Sequence, residues 1–330
     1  MFKYILKRIF LAIFILFGVS VIIYFLVRLM PTDYIDQKFH SQIVQGTITQ
    51  ADLDAMKALY GLGDNSFFGI LSGYWNWVSN LFKGNWGDSF KYGLPVWTVI
   101  TENMWISFEL ALIALVLQYA IAIPIGVKAA TKQYGVFDYT ATVFAMVGTA
   151  LPSFFFAALL IKVFSVDLHW FPNQGLITAG AGYEGIRLFL DKVWHLVLPM
   201  MVLVILSIGG LMRHTRTNTL EVLNSDYIRT ARAKGLPEKV VIGKHAFRNT
   251  LIPIVTMLAG ALPSLFGGAM ITEQVFAIPG IGNMAYQALI AADIPFIMGY
   301  NMFLALLTVI GTLLADIAYS LVDRRVKLGK

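Results

Sequence analysis

Glu109 and Asp316 stand inside long apolar runs, where a charged side chain costs about 2.5–3.5 kcal/mol even on the lenient insertion scale. Acids so placed can relay protons, or they can pair with polar neighbours and face a water-filled path. Other chemistry is scarce. The five histidines, His40, His169, His195, His214 and His245, lack the paired spacing of a helical zinc site, so no metal is expected and each reads as an interfacial or packing residue. No serine occupies a Gly-x-Ser-x-Gly elbow, which leaves a hydrolase reading without support. The absence of cysteine removes disulfides, thiolate metal sites and thiol nucleophiles. There is also no Gly-x-x-x-x-Gly-Lys-Ser/Thr loop to cradle a nucleotide's phosphates, so any ATP the protein uses must be bound by another chain. No catalytic residue is predicted.

The most polar inner stretch runs from Asp226 through Tyr227, Arg229, Thr230, Ala231, Arg232, Ala233, Lys234 and Gly235 to His245, Arg248 and Asn249. Asn224, Ser225 and Asp226 can each cap a helix N-terminus, Gly235 suits a left-handed helix C-terminus, and Pro237 suits the first turn of a second helix. Two short helices hinged at Gly235 are therefore predicted.

These residues have to be held by a membrane bundle. The chain of 330 residues is 58% hydrophobic and 13% charged, about half the usual charged share, with a mean hydropathy of +0.70. A net charge of +6 could point to nucleic acid, but the basic residues cluster beside apolar runs instead of forming an aromatic-interleaved patch. No nucleic-acid partner is expected; membrane lipid is.

The apolar runs predict an all-α integral membrane protein of six spans, at about residues 9–27, 105–127, 137–164, 193–211, 251–276 and 299–322. The first is too long for a signal peptide and lacks a small-residue cleavage site, so it is read as a retained span. By domain, residues 1–31 form the first span, 32–101 a helical extracellular segment, and 102–330 a five-span core with an inner loop at 213–250. Within the outer segment, Thr49 before residues 52–60 reads as a capped helix stopped by Gly61, and Trp75, Trp77, Phe82 and Trp86 suit the interfacial belt. Pro152 is expected to break the third span, and Gly260, Pro263, Gly267 and Gly268 to allow close packing in the fifth. Of the 25 Lys and Arg residues, 17 fall on segments this topology places inside, which agrees with both termini being cytoplasmic.

Three motifs carry a resemblance over nearly the whole chain. They are Gly84-Asn-Trp-Gly-Asp-Ser89; Asp226-Tyr-x-Arg-Thr-Ala-Arg-Ala-Lys-Gly235 with His245-x-x-Arg248-Asn249 and Pro253; and Glu273-x-x-Phe276-x-x-Pro279-Gly280-x-Gly282. Together they resemble the permeases of binding-protein-dependent ABC importers, in the oligopeptide, dipeptide and nickel branch, and the long outer segment resembles the longer of its two permease types. The wider family's loop begins Glu-Ala-Ala with a Gly four residues after the second Ala. Here those three places hold Arg229, Thr230 and Ala231, so only Ala231 and Gly235 are kept.

The resemblance implies a bacterial cell-membrane permease subunit that imports short peptides, with nickel or another small solute as the alternative cargo. It implies a second homologous permease, two cytoplasmic ATPase subunits that hold ATP and Mg, and an extracellular substrate-binding protein, with no cofactor on this chain. The 226–249 residues named above become the ATPase-coupling loop, and Glu109, Pro152, Glu273 and Asp316 candidates for the path or gate. Because ATPases would supply the energy, the path-lining reading of Glu109 and Asp316 is preferred to a proton-coupled secondary transporter.

Overall fold

In the computed structural model, residues 2–28, 44, 49, 51 and 66–322 are described, and among them every regular element is a helix. The helix foreseen at 52–60 and the basic cluster after residue 322 lie outside the described residues.

Helix α1 spans Phe2–Arg28 and α2 Phe67–Phe82, the latter starting where the Ser66 hydroxyl accepts from Gly69 N–H at 3.0 Å. Helix α3, Val96–Thr131, and α6, Gly185–Leu223, are the long axes of the bundle. Between them α4, Val136–Ala150, and α5, Ser153–Leu160, with its π-helical continuation Ile161–Asp167, form one broken unit bent by 103°. The bend falls at Leu151 and Pro152, where both residues are extended and proline has no N–H to continue the ladder. After α6 come α7, Asp226–Ala233, the single turn α8, Glu238–Val240, a π-helical stretch Val241–Ala246, and α9, Phe247–Ala261. A 3₁₀ turn, Leu262–Leu265, leads to α10, Met270–Val275, α11, Ile281–Ile290, and α12, Ile294–Val322.

Helices α3, α6 and α12 are each long and apolar enough to cross a membrane, and the α4–α5 pair counts as a fourth crossing if taken as one span. The apolar part of α1, Phe10–Leu26, is shorter, and α9 has 15 residues. By length and composition the described residues thus give three spans, or four with the bent pair taken as one, against the six predicted. The fifth departs most: the run at 251–276 is split into α9, the 3₁₀ turn and α10, because Pro263 withholds an N–H in the middle of it. At the other end, residues 96–101, assigned to the outer segment by sequence, belong to α3.

Burial is concentrated where α6 lies along α3 and α4, around Leu110, Ala122, Leu198, Val202, Ile208 and Met212. Glycines set that approach. A Cβ on Gly209 would meet Ala145 O at 2.4 Å, and one on Gly126 would meet Met212 O at 2.7 Å. Gly260, expected to allow close packing in the fifth span, has open space beside it. A partly buried ion pair closes the same corner, with Arg216 Nε and Nη2 donating to the buried Asp138 Oδ1 and Oδ2 at 2.6 and 2.8 Å.

Candidate functional site

Two constructions carry the sequence-marked residues, one at each end of the bundle. The first is the arm that follows α6. Its helix α7 is largely polar, and its two buried residues, Ile228 and Ala231, pack with Val241 and Ala246 against Val222 and Leu223. This small core folds α7 back on the stretch leading to α9. Asp226, Tyr227, Arg229, Thr230, Arg232, Ala233, Lys234, Gly235 and Arg248 are exposed, while His245 and Asn249 are half-buried. Asn249 Nδ2 donates to His245 O at 2.9 Å and Thr230 Oγ1 to Asp226 O at 3.0 Å.

Gly235 adopts φ +76°, the left-handed conformation its position predicts. Its N–H donates to Arg232 O at 2.9 Å and that of Leu236 to Ala231 O at 3.4 Å, the paired bonds of a Schellman stop. Across this turn Arg232 grips Glu238 with two bonds, Nη2 to Oε1 at 2.7 Å and Nε to Oε2 at 3.2 Å. The guanidinium's hydrogen bonds hold the Glu238 carboxyl below the usual range and raise Arg232 in turn. Sequence reasoning missed Glu238; an acid six residues after a basic one, with a Gly turn between them, was the available signal. It also expected a side-chain cap at the start of α7, whereas the Ser225 hydroxyl donates back to Val222 O.

The second construction lies on the other side, between α9 and α12. Glu273 is fully buried, and its oxygens are all engaged: Oε1 accepts from the Ser107 hydroxyl at 2.7 Å and Ala269 N–H at 2.8 Å, and Oε2 from Asn283 N–H at 2.9 Å. Ser107 on α3 also accepts from Ile281 N–H at 2.9 Å. One carboxylate thereby satisfies otherwise orphaned donors at the starts of both α10 and α11 and ties them to α3. Glycines make room for it, since a Cβ on Gly280 would stand 2.4 Å from Ser107 Oγ and 2.5 Å from Glu273 Oε2. On Gly268 and Gly282 it would stand 3.0 and 2.9 Å from the same carboxylate. The Glu273 to Gly282 spacing is thus the outline of a carboxylate cradle.

Asp293 repeats the device. It is fully buried, accepts from Phe296 N–H at 3.3 Å at the start of α12, and also takes the Ser89 hydroxyl at 2.5 Å and the N–H groups of Phe90 and Lys91 at 3.2 and 3.0 Å. Burial lowers the Lys91 ammonium against the opposing pull of Asp293, and pushes the Tyr92 phenol up to about 12. Ser89 closes the Gly84–Ser89 motif, but neither its partner Asp293 nor Ser107 was marked as a site by sequence.

The four residues named as path or gate do not share one environment. Glu273 is enclosed as described, Pro152 is exposed at the α4–α5 break, and Glu109 is exposed on α3, two residues beyond Ser107. Asp316 lies on α12, with its side chain outside the described residues. Among the described residues no three His, Asp or Glu side chains come together as a metal set.

Comparison with known proteins covers the whole length. Residues 122–328 match the family described as the binding-protein-dependent transport system inner membrane component. The oligopeptide transport system permease protein AppB of Bacillus subtilis (strain 168) is 36% identical over 325 residues, covering 98% of this chain and 99% of that protein. The dipeptide transport system permease protein DppB of Escherichia coli (strain K12) is 31% identical over 355 residues, covering 99% of each. A putative peptide permease protein of Brucella ovis is 32% identical over 329 residues, covering 99% of this chain and all of its own.

Proposed function

Since the chain belongs to the family of binding-protein-dependent transport system inner membrane components, we propose that it is the membrane subunit through which an ATP-driven importer passes short peptides. The observation that carries this reading is end-to-end likeness to permeases named for oligopeptide and dipeptide transport. The chain is a multi-pass cell-membrane protein, and in the proposed arrangement both termini are cytoplasmic. A second homologous permease completes the path, two cytoplasmic ATPase subunits hold ATP and Mg, and an extracellular binding protein delivers the cargo.

In this reading the arm at 226–249 is the coupling element. Exposed Tyr227, Arg229 and Lys234 meet the ATPase, while the buried Ile228–Val241 contact and the Arg232–Glu238 grip keep α7 from folding independently of α9. Glu273 keeps α10 and α11 attached to α3, and Asp293 keeps the Ser89–Lys91 turn attached to the start of α12.

Assembly provides the test. The complex in proteoliposomes is expected to take up short peptides with ATP and to continue when a protonophore collapses the proton gradient; loss of uptake under that condition overturns the ATP-driven reading. Nickel accumulation in place of peptide reassigns the cargo. Purified alone, the chain is expected to bind no stoichiometric ATP and to hydrolyse none, because the phosphate loop is missing. Turnover by the isolated subunit contradicts this.

Glu109→Gln is expected to leave ATP-driven uptake within about twofold of wild type, the range of substitutions at exposed positions, and Asp316→Asn is expected to leave uptake largely intact. Uptake lost in either variant, with assembly and ATP hydrolysis intact, favours the proton-coupled alternative.

A further inference from the structure

Helix α2 has three distinct sides. At about 3.6 residues per turn, Gly73, Tyr74 and Trp77 fall on one, and this side faces α1. There the Tyr74 hydroxyl lies 2.8 Å from Ser20 Oγ, and the Tyr74 and Trp77 rings pack on Tyr24 at centroid distances of 5.5 and 6.0 Å. Ser72, Asn76, Ser79 and Asn80 form a second, polar side. The third consists of Phe67, Phe68, Leu71, Trp75 and Phe82, exposed by 74, 80, 52, 66 and 89%. No Asp, Glu, Lys or Arg occurs in its 16 residues.

We propose that α2 lies in the outer leaflet of the membrane, with the Phe67–Phe82 side among lipid acyl chains and the Ser72–Asn80 side towards water. Its length of about 24 Å, at 1.5 Å per residue, falls short of the ~30 Å hydrocarbon core. Both ends are closed, by the Ser66 cap and by Lys83 N–H donating to Asn80 O at 3.0 Å, so the helix does not continue across the bilayer. A helix with adjoining apolar and polar sides and a third side held by protein fits the boundary between lipid and water.

Continuity identifies the occupant as lipid. Helix α1, on which α2 rests, exposes Phe10, Phe14, Phe17 and Phe25 at 43–70% along its apolar run, and the α2 aromatics extend that surface. A soluble partner would leave part of so wide a phenylalanine and tryptophan face in water when it dissociates; acyl chains cover it permanently. Phe68, Leu71 and Trp75 also wall a shallow open concavity that can seat a chain. The segment between the first span and α3, read from sequence as extracellular, is then partly a membrane element.

The absence of cysteine makes a direct test available. Single nitroxide labels at Phe68→Cys, Leu71→Cys and Trp75→Cys, and at Ser72→Cys and Asn76→Cys, are placed in the assembled importer in lipid nanodiscs. Oxygen, which concentrates in lipid, and a water-soluble nickel chelate are the relaxing probes. The first three labels are expected to favour oxygen over the chelate by severalfold, and the other two to show the reverse. Equal chelate access at all five places α2 in water and overturns the proposal. Shielding of the first three from both probes in the assembled importer, with oxygen access gained in the lone chain, shows protein cover and overturns it too. Because the readout is position and not uptake, its outcome is independent of the cargo assignment.

Discussion

Gly280→Ala is expected to reduce peptide uptake by a factor on the order of 100, with less assembled complex in the membrane. The added Cβ would lie 2.4 Å from Ser107 Oγ and 2.5 Å from Glu273 Oε2, and both atoms are fixed by bonds to backbone N–H groups. Relief requires giving up one or two hydrogen bonds to a buried carboxylate, each worth about 1.5–3 kcal/mol. A total of about 3–5 kcal/mol corresponds to a hundredfold or greater loss of the intact arrangement. Glu273→Ala is expected to be at least as severe, because it leaves Ala269 N–H and Asn283 N–H buried without their acceptor. Glu273→Gln keeps one acceptor oxygen but turns an NH₂ group towards a donor, so an intermediate loss is expected. Uptake per assembled complex, together with the amount assembled, is the measurement; wild-type values for Gly280→Ala would show that the cradle does not constrain α10 and α11 against α3.

Gly235→Val is expected to separate ATP hydrolysis from transport. At φ +76° a β-branched residue is a backbone outlier, at a cost of about 1–3 kcal/mol. Nothing lies within 4 Å of the Cβ position, so the penalty comes from the backbone itself and repacking cannot relieve it. The simplest release is to unwind the Schellman stop, which moves α7 relative to the Arg232–Glu238 grip and weakens ATPase docking about tenfold or more. Insertion should survive, since α3 and α6 bury their apolar surface elsewhere. The expected phenotype is a chain at normal level in the membrane whose ATPases either fail to co-purify or hydrolyse without uptake. Lys239→Ala, an exposed change beyond the turn, is expected to do much less. Normal uptake with bound ATPases in Gly235→Val would remove the coupling role from this arm.

What could be read from sequence depended on whether the cause was local. Gly235 declared its conformation because the requirement for φ > 0 lies in one residue, and Pro152 declared the break because its missing N–H does. The place where α7 stops was readable from Gly235 and Pro237, whereas the side-chain cap foreseen at its start is not made. The Glu273 motif was visible as a pattern, yet its meaning was not, because the carboxylate's key partner, Ser107, is 166 positions away. Asp293 was hidden for the same reason. The close approach of α6 to α3 and α4 through Gly126 and Gly209 needed the interhelical geometry; of the glycines that sequence named for packing in the fifth run, Gly268 lies against Gly282 whereas Gly260 has open space beside it. Hydropathy alone also gave the fifth apolar run a continuity that Pro263 denies it.

The bond between Ser89 and Asp293 spans 204 positions, and that places a clock on biogenesis. At a synthesis rate of about 5–20 residues per second, the Ser89–Lys91 turn waits roughly 10–40 s after translation before its carboxylate exists. During that interval the Ser89 hydroxyl and the Lys91 N–H lack the carboxylate to which they donate in the finished protein. This end of the bundle is therefore completed from the C-terminal part of the chain, and a nascent chain released before Asp293 lacks the acceptor that closes its Ser89–Lys91 turn.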